Sequence, residues 1–237
     1  MKDVSRLYEV LLSAYGPQGW WPSAWNAGRS GFDVRGYHPG DYHFPRAAAQ
    51  RLEIAVGAVL TQNTAWTNVE KAMERLKEAG VTSARAIRGT PLRRLSSLIK
   101  ASGYYNQKAK KLKALAGLLA GHRGAPSRDA LLSVWGVGEE TADSILLYAY
   151  GRPLFVVDAY TRRLLERLGT LCGGERYGEI QRIFHDTLPV RHELYNEYHA
   201  LIVEHAKRRC RTKPLCAGCP VTFCPLWKPG AGQSPLT

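Results

Sequence analysis

The segment Leu131–Asp158, with the sequence LLSVWGVGEETADSILLYAYGRPLFVVD, carries the strongest structural signal in the chain. Gly136 and Gly138 bracket Val137, and two glycines this close let the backbone turn sharply and approach another molecule without an intervening Cβ. Apolar residues then recur at helical spacing, at Ala142, Ile145, Leu146 and Ala149. The pattern predicts a helix, a tight hairpin and a second helix whose first N–H groups can bind an anion.

An acidic residue follows this hairpin. Asp158 comes directly after the short apolar segment Leu154–Val157, and we expect it at the start of the next helix. Its carboxylate could cap that helix, because an aspartate in this place accepts hydrogen bonds from the first backbone N–H groups. We also expect it to perform chemistry beside a DNA backbone that the hairpin holds.

The chain is strongly basic. Its 237 residues carry a formal net charge of +13, and lysine and arginine recur along most of its length. A polyanion is therefore a better partner than a small acidic substrate, although a basic ribosome-associated protein would share this composition. The N-terminus shows no signal-peptide pattern, and no apolar run approaches the roughly 18 residues of a membrane span. We expect a cytoplasmic, nucleoid-associated monomer with no membrane partner.

Helical periodicity dominates the chain from residue 47 onwards, and residues 154–157 are the only good strand candidate. This pattern predicts an all-α protein, with two lobes and a cleft between them. A lysine-rich face on the helix 107–122 is expected to be solvated. About thirty irregular residues precede position 47 and contain many aromatic residues, which argue against disorder: Trp20, Trp21, Trp25, Phe32, Tyr37, Tyr42 and Phe44.

Four cysteines crowd into fifteen residues near the C-terminus, as Cys210-x5-Cys216-x2-Cys219-x4-Cys224. Four sulfur ligands suit a structural zinc ion or an iron–sulfur cluster, and we favour a [4Fe–4S] cluster because only one C-x2-C pair is present. Basic residues surround these cysteines and could bind phosphates, among them Lys207, Arg209 and Arg211. The fifth cysteine, Cys172, is expected to be a small buried apolar residue.

Together these motifs resemble the helix-hairpin-helix DNA glycosylases of the endonuclease III branch. The resemblance rests on LTQNT at 60–64, SGYYNQKAKKL at 102–112, VWGVGEETAD at 134–143, VVDAYTRRLLERLG at 156–169 and the four cysteines. GWWP, GAVLTQNT, GYYNQKAK and VVDAY are closer still to the bacterial 3-methyladenine glycosylases of the MagIII type. Those enzymes lack the cluster, whereas related proteins keep it with the spacing x6, x2, x5, one residue longer in both outer gaps.

The resemblance implies a two-lobed, all-α glycosylase fold with a DNA-binding cleft between the lobes. Residues 1–46 would form an N-terminal helix and a long aromatic loop that packs with the cluster lobe. Residues 47–150 would form the helical barrel, with the helix-hairpin-helix at 127–150. Residues 151–209 would complete the cluster lobe, and residues 210–224 would form the iron–sulfur loop.

The resemblance also implies roles for individual residues on double-stranded DNA that contains a damaged base. Asp158 would stabilise the positive charge on the sugar, and Gln62 would fill the gap left by the flipped base. Residues 136–138 (Gly136, Val137 and Gly138) would bind phosphates, and hairpin carbonyls would hold a monovalent cation. The base pocket would be lined by Trp20, Trp21, Pro22 and Trp66. From the residues alone, the tryptophans could equally be core and Gln62 could equally be a turn residue that caps the next helix.

Glu140 is the informative departure. Bifunctional endonuclease III enzymes have a lysine at the matching position, whose amine attacks the sugar, and a carboxylate cannot do this. The expected activity is therefore a monofunctional base-excision-repair glycosylase that releases an alkylated purine such as 3-methyladenine, with Glu140 beside the substrate. The alternatives are a glycosylase for oxidised pyrimidines, uracil or mismatched thymine, and a non-catalytic DNA-binding protein.

Overall fold

The computed structural model describes residues 2–122 and 124–229, with only the backbone of Lys2, and within these residues the protein is almost entirely helical. The helices in chain order are α1 (Lys2–Tyr15), α2 (Ala48–Leu60), α3 (Trp66–Glu78), α4 (Ala84–Gly89), α5 (Leu92–Leu98), α6 (Tyr105–Ala120), α7 (Arg128–Leu132), α8 (Glu139–Ser144), α9 (Ala159–Arg167), α10 (Tyr177–Thr187) and α11 (His192–Arg208). A 3₁₀ turn spans Lys100–Ser102, and a π-helical turn spans Ile145–Ala149. The described residues contain no strand, only one isolated bridge between Ala217 and Lys228, so the all-α prediction is confirmed.

The chain divides into two compact units. The central unit is Trp20–Arg152, and the terminal unit combines Met1–Gly19 with Pro153–Thr237. The aromatic segment therefore belongs with the helical barrel, and the predicted boundary at residue 46 differs from the observed one at Gly19. The reason is a set of specific anchors, such as the indole N–H of Trp25, which donates to the carbonyl of Met73 in α3 at 3.1 Å.

Helix α2 is the core of the central unit, because nine successive residues from Leu52 to Leu60 are buried. Its apolar sequence on every side is typical of a helix that is enclosed all round. Gly57 allows close packing, since a Cβ there would lie 3.0 Å from the indole nitrogen of Trp21. The helix ends at a buried ammonium group, as Lys108 Nζ donates to the carbonyls of Leu60 (2.8 Å) and Ser102 (2.7 Å).

Lys108 corrects the prediction that the lysines of α6 form a solvated face. Its side chain is only 2% exposed, and burial, with the nearby charge of Lys111, lowers its pKa to about 8. The two backbone carbonyls satisfy the ammonium in place of water, which makes this burial tolerable. Lys110, by contrast, is exposed as expected.

The terminal unit packs around α11, against which α1 and α9 lie. The Tyr198 hydroxyl donates to the Val4 carbonyl at 2.6 Å, and Phe155 stacks on Phe184 with ring centroids 3.6 Å apart. Residues 154–157, the predicted strand candidate, have no regular secondary structure and join no sheet. Side chains of α10 satisfy this backbone instead: Phe155 N donates to His185 Nε2 (3.0 Å), and Gln181 Nε2 donates to Phe155 O (2.7 Å).

Cys172 is exposed, which contradicts the prediction that it is buried. It lies in the turn after α9, where its N–H donates to Glu175 Oε1 at 2.7 Å, so the backbone of this turn is held by a surface carboxylate. No helix among the described residues is long and apolar enough to cross a lipid bilayer.

Candidate functional site

The predicted helix-hairpin-helix is formed by α7, residues 133–138 and α8. Arg128 on α7 connects the two helices: its Nε lies 2.7 Å from Oδ1 of Asp143, and its Nη2 lies 3.2 Å from Oε1 of Glu139. The Asp143 side chain is fully buried, and its hydrogen bonds and charge raise the pKa of the Arg128 guanidinium. The ion pair between Arg128 and the buried Asp143 therefore holds α7 to α8. Removing one partner would break this pair, which is costly.

The turn itself needs glycine at position 136. Gly136 has φ of +81°, a conformation that strains any other residue, and a Cβ there would lie 2.3 Å from Cε of Lys111, so the lysine side chain would also have to move. Val137 is buried, and its N–H donates to the Val134 carbonyl at 3.0 Å. This N–H therefore already closes the turn. The predicted contact of Val137 with a phosphate stays a prediction.

Gln62 contacts the hairpin and α8 through its amide nitrogen and contacts α6 through its amide oxygen. Nε2 donates to Thr141 Oγ1 (2.9 Å) and Gly136 O (3.1 Å), and Oε1 accepts from Lys111 Nζ (2.6 Å). The N-cap of α3 is Ala65, which has no side-chain cap, so Gln62 does not cap that helix. The structure brings Gln62 and the hairpin glycine together, although 74 residues separate them.

A second cluster of the central unit is aromatic. Trp21 lies edge-on to Trp66 and Tyr148, with ring centroids 5.4 and 5.1 Å away, and Trp20 lies 5.9 Å from Trp21 and 6.1 Å from Tyr148. Trp21 and Pro22 are buried, whereas Trp20 and Trp66 are partly exposed. The Trp66 indole nitrogen is itself buried and has no hydrogen-bond partner. We call these four rings the aromatic cluster.

Glu53 on α2 supports the segment that carries two of these rings. Its carboxylate accepts hydrogen bonds from the Ser23 hydroxyl (2.6 Å) and the Trp25 N–H (2.7 Å), and its side chain is buried. Burial raises the pKa of Glu53 to about 7, against the opposing effect of these donors and of Lys77. Lys77 Nζ also donates to the Trp25 carbonyl at 3.0 Å. Residues 23–25 are therefore fixed immediately after the tryptophan pair.

Asp158 lies in the terminal unit and is the N-cap of α9, as expected. Oδ1 accepts from the Thr161 N–H (2.7 Å) and the Thr161 hydroxyl (2.9 Å), and Oδ2 lies 3.6 Å from His199 Nε2. Only 12% of the side chain is exposed. Burial alone would raise the pKa of Asp158, but His199 and the Thr161 donors outweigh it and lower the pKa below its ordinary value.

The four clustered cysteines of the terminal unit line one small cavity, together with Leu164, Val221 and Leu226. Arg167 Nη1 donates to Cys210 Sγ at 3.1 Å and also to the Arg211 carbonyl. Among residues 2–122 and 124–229, however, no three His, Cys, Asp or Glu side chains form a group that could hold a metal ion. The four cysteines thus line one cavity and provide the four sulfur ligands that an iron–sulfur cluster requires. They do not form a compact site for a single metal ion.

The basic residues beside the cysteines are only partly available to a ligand. Arg211 Nε donates to the Lys207 carbonyl (2.7 Å), and Arg209 Nη1 donates to the Ala217 carbonyl (3.3 Å), so both guanidinium groups help to hold the cysteine loop. Lys207 and Arg211 are exposed and Arg209 is partly exposed. Their predicted contact with phosphates stays a prediction.

Four residues with clear structural roles escaped the sequence prediction: Tyr148, Glu53, Lys111 and His199. Tyr148 interrupts an apolar run inside the π-helical turn, and Glu53 interrupts the most apolar helix, so each was visible as an anomaly. Lys111 and His199 gave no local signal, because their importance comes from the partners that they meet. Glu140 is exposed on α8 at the hairpin, and its predicted contact with the substrate stays a prediction.

Two curated relatives are similar to this chain in sequence over most of its length. "Putative DNA repair glycosylase MJ1434" of Methanocaldococcus jannaschii is 42% identical over 234 residues, which cover 93% of this chain and 95% of that protein. Endonuclease III of Thermotoga maritima is 31% identical over 182 residues, or 74% of this chain and 84% of that enzyme.

Solved structures agree. The Helicobacter pylori 3-methyladenine DNA glycosylase (MagIII) bound to 1,N6-ethenoadenine superposes with a TM-score of 0.63 at 28% identity, over 87% of this chain and 97% of that one. A trapped endonuclease III–DNA covalent intermediate gives 0.67 at 25% identity, over 74% and 83%. Residues 56–189, which include the end of α2, Gln62, the hairpin and Asp158, match the family model described as HhH-GPD superfamily base excision DNA repair protein. The chain therefore belongs to this superfamily of DNA glycosylases.

Proposed function

We propose that this glycosylase is monofunctional and releases alkylated purines, such as 3-methyladenine, from double-stranded DNA. The observation that carries the proposal is the aromatic cluster, in which the Trp20 and Trp66 rings remain partly exposed beside the buried Trp21. A 3-methylated adenine is cationic while it is attached to its sugar. An indole face attracts such a ring by roughly 0.5–2 kcal/mol, so the cluster favours it over a neutral base.

The unpaired indole N–H of Trp66 supports the same assignment. A buried donor without an acceptor costs about 1–3 kcal/mol of stability. Such a group calls for an explanation, such as a role in binding a ligand. A purine that enters the cluster brings ring nitrogens that can accept this hydrogen. An oxidised pyrimidine has a smaller ring to stack on the tryptophans and would need additional polar contacts.

Asp158 supplies the charge that the reaction needs. When the glycosidic bond breaks, positive charge develops on the sugar, and a carboxylate that stays ionised stabilises it. The Thr161 donors and His199 keep the pKa of Asp158 low, so the carboxylate is ionised at neutral pH. An alkylated purine leaves readily because its glycosidic bond is already weakened by the positive charge, and no strong acid is then required.

Glu140 supports a monofunctional reaction. It stands in α8 at the position where the bifunctional relatives carry the lysine nucleophile, and a carboxylate cannot form a Schiff base with the sugar. The proposed products are therefore the free base and an intact strand with an abasic site. In the same proposal Gly136 and Gly138 bind the DNA backbone, Gln62 fills the gap left by the base, and hairpin carbonyls hold a monovalent cation.

We further propose a [4Fe–4S] cluster for the terminal unit, which Cys210, Cys216, Cys219 and Cys224 would hold. Apolar residues line most of the rest of their cavity, together with Arg167, His205 and Arg209, and Arg167 donates to Cys210 Sγ, which would offset the negative charge of thiolate ligands. The cluster would supply a rigid cross-link for the loop 210–224. Absorbance near 410 nm (roughly, as iron–sulfur proteins show) in the purified protein, with iron and sulfide analysis, distinguishes it from zinc.

Substrate choice is tested by base release under single-turnover conditions. The DNA would be methylated duplex, and duplexes with one thymine glycol, one uracil opposite guanine or one thymine opposite guanine. We expect free 3-methyladenine and little release from the others. Release of thymine glycol without 3-methyladenine would establish the endonuclease III-like alternative, and binding without any release would establish the non-catalytic one.

Whether the enzyme also cleaves the DNA strand through a Schiff base needs a separate experiment. Borohydride reduction during turnover traps a Schiff base as a covalent protein–DNA adduct, and an endonuclease III enzyme provides the positive control. We expect no adduct from this chain. A robust adduct would overturn the monofunctional assignment even if 3-methyladenine is the substrate.

A further inference from the structure

The side chain of Gln62 is held in place by three hydrogen bonds, two from its nitrogen and one to its oxygen. The two acceptors of Nε2 are Gly136 O and Thr141 Oγ1, both on the hairpin or α8, and the donor to Oε1 is Lys111 Nζ at 2.6 Å. A glutamine that enters the gap left by a flipped base must leave these partners. The structure therefore describes a stored position of Gln62, in which α6 provides the shortest contact.

Lys111 lies directly against the turn of the hairpin. Its Cε would be 2.3 Å from a Cβ at Gly136, and its Nζ lies 6.0 Å from the centroid of the Trp135 ring, which is 59% exposed. The Lys111 side chain is itself partly exposed. A positive charge thus lies at the surface beside Gly136, where the hairpin would meet a DNA strand.

An ammonium group binds a phosphate more strongly than an amide oxygen, because both partners are then charged. A phosphate that approaches Gly136 would compete directly with Gln62 for Lys111 Nζ. The competition is unequal, since Gln62 Oε1 offers only a neutral acceptor. Loss of this contact would leave Gln62 attached through Nε2 alone.

We propose that Lys111 is a phosphate-responsive latch for Gln62. Without DNA, Lys111 holds the amide of Gln62 on the hairpin, and a backbone phosphate at the hairpin draws the ammonium away and frees Gln62 to enter the gap. The inference rests on the proposed function, because it uses the hairpin as the phosphate contact and Gln62 as the gap-filling residue. It adds a positioning residue that couples the two events.

The competing explanation is a static contact, in which Lys111 supports Gln62 whether or not DNA is bound. The two explanations differ in what a DNA strand does to the Gln62 amide. In the latch the Gln62–Lys111 hydrogen bond breaks when undamaged duplex binds, before any base is flipped. In the static contact it survives, and removing Lys111 affects only stability.

The test follows the Gln62 side-chain NH2 signals by ¹⁵N NMR in the full chain, with Gln62→Ala to assign them. We expect undamaged duplex to shift the Gln62 signals of the wild type. Lys111→Met should produce the released signal without DNA, and Lys110→Met, which changes the exposed neighbour on the same helix, should leave the free-protein signal as in the wild type. Unchanged Gln62 signals with bound duplex would overturn the latch, and this arm needs no variant at Lys111.

Duplex affinity as a function of salt gives the second readout, by fluorescence anisotropy. Each phosphate contact contributes about 0.9 to the slope of log K against log salt, so Lys111→Met should lower the slope by about that amount. Lys111→Arg should restore both the slope and the stored Gln62 signal. An unchanged slope in Lys111→Met overturns the latch even if the hairpin binds DNA. Absence of duplex binding by the wild type overturns the proposed function, and the latch with it.

Discussion

Glu53 in the central unit is buried and Asp158 in the terminal unit is mostly buried, yet the environments of the two carboxylates act in opposite directions. Each accepts a backbone N–H and a side-chain hydroxyl, from Trp25 and Ser23 in one case and from Thr161 in the other. Burial raises the pKa of Glu53 to about 7. The pKa of Asp158 is below its ordinary value despite burial, because His199 and the first N–H groups of α9 favour the ionised form.

The comparison shows that burial and hydrogen bonding do not by themselves determine what a carboxyl group can do. The helix N-terminus and a histidine make Asp158 a permanent negative charge, which suits a group that must stabilise a cation. Glu53 has no comparable support at neutral pH and acts as a hydrogen-bond acceptor for the tryptophan segment. Replacing each carboxyl by its amide should therefore have very different consequences.

The largest effect is expected from Asp158→Asn. Asparagine caps a helix about as well as aspartate, so α9 should keep its start, whereas the charge is lost. Base release should fall by at least about 100-fold, as is typical when one electrostatic contact to a transition state is removed. Single-turnover release measures this, and anisotropy should show unchanged duplex affinity. Asp186→Asn, an exposed acid on α10, is the control, and equal losses in both variants would contradict the role of Asp158.

Glu53→Gln should alter stability in a pH-dependent way. Because folding raises the pKa of Glu53 from 4.5 to about 7, the contribution of Glu53 to stability is complete below pH 4.5 and is lost as the pH rises through about 7. The displacement corresponds to about 3 kcal/mol, at about 1.4 kcal/mol per pH unit. Glutamine cannot ionise, so the variant should lack this decline.

Urea unfolding at several pH values measures the difference between the wild type and Glu53→Gln, in which the titrations common to both proteins cancel. The exposed Glu74 provides the matched control, as Glu74→Gln should follow the wild type at every pH. If Glu53→Gln and the wild type run parallel between pH 4.5 and about 7, the window set by the two pKa values, Glu53 is ionised throughout and the comparison with Asp158 fails.

The smallest effect is expected from Thr161→Val, which removes one hydroxyl donor from Asp158 but keeps the backbone N–H. Because this hydroxyl donates to an ionised carboxylate, its loss should raise the pKa of Asp158. The acid limb of the pH–rate profile for base release should therefore move to higher pH. Thr187→Val removes a buried hydroxyl that has no partner, and its profile should match the wild type. A shift to lower pH in Thr161→Val would contradict this assignment.

The sequence by itself determined the local features of this protein. Paired glycines specify a hairpin, apolar periodicity specifies helices, and an aspartate after an extended segment specifies a cap, because each depends on neighbours only a few residues away. The structure confirms the hairpin at Gly136, the cap at Asp158 and the all-α fold.

Tertiary structure alone decided the rest, since burial and charge depend on residues that are far apart in the chain. Lys108 is buried because the distant Leu60 carbonyl and the nearer Ser102 carbonyl both accept from its ammonium. Residues 154–157 form no strand, and side chains of α10 bond to their backbone instead. The opposite pKa directions of Glu53 and Asp158 arise in the same way. A residue type fixes which charge a side chain can carry, whereas only the folded surroundings fix the free energy of carrying it.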